Sequence, residues 1–242
     1  MNVSGSSAAP DMDRAGGAIP RIRARYLAVA AMVVGIVLLV AVLAALRIVR
    51  LGSSATDLAG AVIDPPMPAT DFTLHDQFDT PISLSSFRGK VVVLTFLYTH
   101  CPDACPLITE KLHQAYDLLG SDASRLAILA VTVDPDRDTI QQVRQYSAEK
   151  DMLNKWHFLV GPMADVKPVW NAYGVSAALD DLASGQANAA AVVTPTPVSG
   201  NGYIVDHAAP IYVIDRNGQA RAILDVDFAP SDLVHDVRAL LN

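Results

Sequence analysis

Cys101 and Cys105 are the two cysteines of a 242-residue chain, and they stand four positions apart. Two sulfurs this close can oxidise to a disulfide, exchange disulfides with a partner, or grip a soft metal ion. They make no disulfide framework, and the small loop they would close adds little stability. The commonest dithiol redox pair has two intervening residues. Here there are three (Pro102, Asp103, Ala104), a wider spacing that suits sulfurs flanking a metal while still allowing a disulfide. Thiolate is the form that attacks disulfides and binds metals, and paired thiolates favour Cu(I), with Zn(II) the alternative.

The surroundings of the pair say where it sits. Val91 to Tyr98 (VVVLTFLY) is a β-branched, aromatic and apolar run, which predicts a buried central strand. Ile108, Leu112, Tyr116 and Leu119 then recur at helical spacing, with Gly120 as the C-cap. Cys101-Pro102-Asp103-Ala104-Cys105-Pro106 thus occupies a helix N-terminus. Free N–H groups and a partial positive charge there lower a thiol's pKa, and positions i and i+4 share one helical face. A third ligand could come from His75, His100, His113, His157, His207 or His235. His207 lies just ahead of the apolar run Ile211–Ile214, and His100, as the neighbour of Cys101, is expected to point away from it.

The elements that position these residues alternate in type. Phe72 and Leu74, then Ile82, Leu84 and Phe87, predict a strand pair ahead of the fold proper. Leu126 to Val133 (LAILAVTV) predicts a second buried strand, and a helix from about Thr139 carries Ile140, Val143 and Tyr146 on one face. Ile211–Ile214 and Ala220–Leu224 flank Asn217-Gly218, a hairpin signal in which both turn residues are expected at positive φ. A last helix after Ser231 turns Leu233, Val234, Val237 and Leu241 inward. This order predicts an α/β, thioredoxin-like fold with an N-terminal strand-pair extension. In it the Ile211–Ile214 strand neighbours the cysteine strand, which brings the loop of His207 toward the sulfurs. Residues 177–202, rich in Ala, Gly, Thr and Pro, read as a long surface insertion.

Ahead of this domain, Leu27 to Leu46 run for 20 positions without a charge. At ~1.5 Å per residue that is about 30 Å, the hydrocarbon thickness of a bilayer. The run exceeds a signal-peptide core and Arg47 and Arg50 follow it, so an uncleaved anchor is expected. Arg14, Arg21, Arg23 and Arg25 precede it, which puts the N-terminus in the cytoplasm and the body outside. The expected division is a cytoplasmic tail over 1–25, one transmembrane helix over 26–48, a proline-containing linker over 49–70, and the folded domain over 71–242. The whole chain carries 18 basic and 25 acidic residues, and its first 50 positions hold six and two of them. The remainder therefore has 12 basic against 23 acidic, which argues against a nucleic-acid partner.

Three stretches together resemble the Sco/SenC family. They are Phe96-Leu97-Tyr98-Thr99-His100-Cys101-Pro102-Asp103-Ala104-Cys105-Pro106, Val131 to Thr139 (VTVDPDRDT), and Val205-Asp206-His207 with Tyr212-Val213-Ile214-Asp215. The likeness runs from about Asp71 to Leu241. It implies a thioredoxin fold, a single N-terminal membrane anchor, and Cu(I) or Cu(II) held by Cys101, Cys105 and His207. It also implies a role in maturing the binuclear copper centre of cytochrome c oxidase subunit II. Pro210 departs from the family and resembles the proline beside the active site of thioredoxin-like oxidoreductases, and Phe78-Asp79 stands where a glycine-containing turn is expected. Two functions compete: a metallochaperone that hands over copper, and a thiol–disulfide oxidoreductase in which Cys101 and Cys105 reduce the partner's cysteines. Copper holding needs His207 and dithiol exchange does not, so its presence favours the first. A thiol peroxidase would carry a threonine three residues before the reactive cysteine, where this chain has Tyr98.

Overall fold

A computed structural model describes residues 31–40, 57–175, 194–198, 202–207 and 209–242. The chain divides into two units, Met1–Ser53 and Ser54–Asn242. In the first, residues 31–40 form a helix (α1) whose apolar side chains, Met32 to Val40, are exposed. The rest of the expected span and the 1–25 tail lie outside the described residues. Among those described, no helix is long and apolar enough to cross a membrane.

The second unit is built on a six-stranded mixed sheet. Its strands are β1 (Ala61–Pro68), β4 (Val91–Leu97), β5 (Leu126–Thr132), β6 (His157–Leu159), β9 (Ile211–Ile214) and β10 (Gln219–Leu224), in the order β1-β10-β9-β4-β5-β6. β4, β5 and β6 are parallel, and β9, β10 and β1 run antiparallel. α2 (Ala104–Leu119) and α3 (Ile140–Glu149) make the crossovers between the parallel strands. Every residue of β4 and β5 is buried, as their unbroken apolar runs require of strands covered on both faces. α4 (Met163–Ala172) follows β6 and ties itself to the end of β5 through the Trp170 indole N–H, which donates to Thr132 O at 2.9 Å. α5 (Pro230–Leu241) closes the chain with Leu233, Val234, Val237, Leu240 and Leu241 buried. The mixed sheet with its helices agrees with the expected thioredoxin-like fold.

The strand-pair extension is present as β2 (Thr73–His75) and β3 (Pro81–Ser83). Its turn dispenses with glycine because Asp79 itself takes φ +61°, a region that short polar side chains tolerate. Asp76 steadies that turn by accepting the Phe78 and Thr80 N–H groups at 2.9 and 3.0 Å. At the β9–β10 hairpin only Gly218 has positive φ, at +72°. The Gly218 N–H returns to Asp215 O, and the Asp215 carboxylate accepts the N–H groups of Asn217 and Gln219. That makes a side-chain-braced turn followed by one left-handed glycine, in place of the expected pair of positive-φ residues.

Two segments depart from expectation. Within the predicted linker over 49–70, Ala61–Pro68 is extended, as its prolines demand, but it pairs with β10 at the sheet edge, with an irregularity between Val62 and Met67 that accommodates Pro65 and Pro66. The cis bond among the described residues is Asp64–Pro65, and Ala209–Pro210 is trans. The insertion ends in a ribbon of its own, β7 (Thr194–Val198) paired antiparallel with β8 (Gly202–Asp206). β6 and α4 complete the sheet in a stretch where the sequence reading placed no element.

The start of β1 is held from below. Asp236, on α5 and 0% exposed, accepts the Ala59 N–H at 2.6 Å and the Gly60 N–H at 3.1 Å. Asp236→Ala leaves the buried Gly60 N–H and the part-buried Ala59 N–H without this acceptor and should lower the unfolding free energy by about 2 kcal/mol. Urea unfolding measures this, and an unchanged midpoint would show that the edge strand docks without the carboxylate.

Candidate metal centre

β4 ends at Leu97, and the chain turns through residues 98–103 before α2 begins at Ala104. Cys101 therefore stands in the turn and Cys105 in the first turn of the helix, so a shared helical face is not what brings the sulfurs together. Asp103 is the N-cap residue, but its side chain makes no cap bond. Instead the Cys105 N–H reaches Cys101 Sγ at 3.4 Å. A sulfur thus takes a helix-end N–H that a Ser or Asp oxygen ordinarily accepts. Both cysteines are free thiols, Cys101 half-buried and Cys105 fully buried.

The two sulfurs shift each other's titration in opposite directions. The Cys105 thiol donates to Cys101 Sγ. Together with the N–H groups of Cys105 and Asp103 and the Tyr98 hydroxyl, this lowers the Cys101 pKa to about 5 against the effect of burial. The same bond, then burial and the charge on Cys101, push the Cys105 thiol up. The helix N-terminus was expected to lower a thiol's pKa, but a second thiolate beside the first would meet like charge with little water to screen it.

The Val131–Thr139 block fastens this turn. Asp138, 2% exposed, accepts the Thr99 N–H at 3.2 Å and the hydroxyls of Thr99 and Thr132, each at 2.6 Å. Burial holds its carboxyl above the ordinary range in spite of these donors. Asp134 pairs with Arg137, whose guanidinium lies 5.8 Å from the centre of the Tyr98 ring. Thr139 caps α3 by accepting the Gln142 N–H at 3.2 Å. The sequence reading used this block as a family marker and assigned it no role. Its alternating acids after a buried strand were the available signal.

β9 lies beside β4, as expected, and the loop entering it brings His207 to the cysteine end of the sheet. His207 Nε2 is 3.1 Å from Phe96 O, and Nδ1 is 3.1 Å from Val205 O. The imidazole meets the Tyr98 ring edge-on, centroids 5.6 Å apart. The structure thus brings Cys101 and Cys105 together and sets His207 against the tyrosine beside them. Among the described residues, no three His, Cys, Asp or Glu side chains are gathered as a metal-holding group. The other histidines are engaged elsewhere: His75 with Asp79, His113 with Asp117, His157 with Asp76, and His235 with Asp236. His100 bonds the Thr99 hydroxyl at 2.9 Å.

Paired sulfurs on a helix end, in a thioredoxin-like sheet with a histidine-bearing loop beside them, match a known family. Residues 63–242 fit the family model SCO1/SenC. The chain belongs to the SCO1/SenC family. One relative, the mitochondrial SCO2 homolog of Danio rerio, is 33% identical over 150 residues, which is 61% of this chain and 48% of that protein. The matched region thus spans about half the relative's length. Bradyrhizobium japonicum ScoI, solved with copper bound, is 26% identical with a TM-score of 0.60, covering 72% of this chain and 99% of that one. BsSco, described as a member of the Sco family of cytochrome c oxidase assembly proteins and studied for a disulfide switch, shares the fold at 22% identity and TM-score 0.55, over 75% of this chain and 98% of its own.

In this Sco/SenC chain the reduced, metal-free Cys101 should be the reactive sulfur. Its thiolate fraction rises through pH ~5 and is nearly complete above pH 6. Alkylation of Cys101 should therefore be nearly flat from pH 6 to 8, where an ordinary thiol accelerates roughly 75-fold. Peptide-resolved alkylation rates test this, and a steep rise across that interval would make Cys101 an ordinary thiol.

Proposed function

We propose that this chain holds copper, as Cu(I) or Cu(II), between Cys101 Sγ and Cys105 Sγ with His207 as third ligand, and passes it to the binuclear copper site of cytochrome c oxidase subunit II. The observation that carries this reading is the pair of free sulfurs packed together at the start of α2, with the Cys105 N–H directed at Cys101 Sγ. That is a preformed soft donor set of the kind Cu(I) prefers. His207 supplies the matching borderline donor. Both of its nitrogens face carbonyl oxygens, Nδ1 toward Val205 and Nε2 toward Phe96. Copper is cargo here, released by ligand exchange as partner thiolates take it. The anchor of this reading is the apolar run Leu27–Leu46, with the N-terminus cytoplasmic and the copper domain on the extracytoplasmic side.

The opposite shifts of the two cysteines favour a second reading, reduction of the partner's copper-site cysteines. Cys101 thiolate attacks the partner's disulfide, forming a mixed disulfide and releasing one partner thiolate. Cys105 gives up its proton and attacks the Cys101 sulfur, which releases the second partner thiolate. The partner gains two electrons and this chain ends as the Cys101–Cys105 disulfide.

Copper titration of the reduced full-length chain in detergent, beside Cys101→Ser and His207→Ala, separates the two. The copper reading expects one tightly held copper per chain. It is lost in Cys101→Ser and weakened in His207→Ala by more than the ~10–100-fold typical of losing a residue that merely supports a ligand. No tight copper, with the dithiol readily reducing a disulfide substrate, would leave the oxidoreductase.

A further inference from the structure

Tyr98, the residue after β4, touches each part of the site. Its carbonyl accepts the Cys101 N–H at 3.4 Å. Its ring carries the edge-on His207 imidazole on one side of the site and the Arg137 guanidinium on another. Its hydroxyl, in a residue 1% exposed, accepts the Val205 N–H at 3.1 Å.

The Val205 end of this contact has its own logic. Among the described residues, β7 and β8 form a separate two-stranded ribbon with no ladder to the main sheet. Across it Val205 faces Pro195, which has no N–H to donate. The Val205 carbonyl is therefore left for His207 Nδ1, at 3.1 Å, while its N–H goes to Tyr98. The peptide groups of one residue thus join the imidazole to the phenol. Removing the hydroxyl would leave the ring contacts in place and cut the link that seats this backbone.

We propose that the Tyr98 hydroxyl is a positioning group for His207: by holding the Val205 amide it fixes the ribbon end that carries the imidazole against the Tyr98 ring. This rests on the copper reading of the site. A tethered third donor needs no ordering of its loop when the ion arrives, and preorganisation of that kind appears as affinity. The sequence offers a matching contrast, since phenylalanine would fill the same core position without reaching Val205.

The test uses the full-length chain with Tyr98→Phe, His207→Ala and the double variant, and has two readouts. In the metal-free protein, Tyr98→Phe should speed hydrogen exchange of the Val205 amide by about tenfold, the equivalent of one lost hydrogen bond, while Ile128 and Leu129 in β5 stay protected. In copper titrations Tyr98→Phe should weaken binding by about 10–100-fold, and the double variant should bind no more weakly than His207→Ala. Unchanged Val205 exchange, exchange that rises equally in β5, or losses that add in the double variant would each overturn the proposal. If the wild-type chain holds no copper, the functional reading fails, and the Val205 readout still decides whether the hydroxyl seats the His207 loop.

Discussion

Three successive carbonyls at the end of β4 receive the three parts of the site. Phe96 O faces His207 Nε2, Leu97 O accepts the Val133 N–H, and Tyr98 O accepts the Cys101 N–H. These oxygens are available because β4 stops pairing there. Its ladder with β9 runs from Val92 to Leu94, and its ladder with β5 reaches Leu97. A buried strand cannot leave its last carbonyls empty without a cost comparable to a lost hydrogen bond. The demand of one strand end for donors thus draws together the turn at Cys101, the end of β5 at Val133 and the loop of His207, which lies 111 positions from Phe96. The site is a consequence of completing the core's hydrogen bonds.

The same economy governs the sulfurs. A helix N-terminus presents N–H groups that need acceptors, and Cys101 Sγ fills that need while Cys105 supplies a thiol hydrogen. With Cys105 fully buried, a second negative charge has little water to stabilise it, so one thiolate and one thiol coexist. This asymmetry underlies both chemistries open to the pair. A thiolate beside a reluctant thiol is a nucleophile with its resolving partner. In the copper reading proposed above, the incoming ion, with its own charge, would displace the second proton.

Around the pair, rigidity comes from buried polar groups that are paired. Asp138 binds Thr99 and Thr132, and so locks the turn before Cys101 to the end of β5. Asp236 does the equivalent at the far edge, where it collects two N–H groups ahead of β1. Neither contact can be read from composition. An aspartate in a sequence is a surface charge by default, and its burial depends on donors brought from elsewhere in the fold. The edge strand Ala61–Pro68 was hidden for a related reason: Pro65 and Pro66 argue for extended chain, but only a partner strand can turn that into a ladder.

What the sequence determined by itself was local and periodic. The apolar runs of β4 and β5 fix two central strands, the helical spacing from Ile108 to Leu119 fixes α2, and the four-residue interval sets Cys101 and Cys105 next to each other at its start. These features are written in neighbouring side chains, so periodicity and spacing suffice. The tertiary structure decided which sulfur carries the proton, what fills the space between sulfur and imidazole, and where His207 rests. Each of those depends on the distance and burial of groups remote in sequence: Tyr98 against Val205, His207 against Phe96, Thr99 against Asp138. Hydrogen bonds and desolvation act over a few ångströms of space, and no pattern along the chain encodes which distant residues will come within that range.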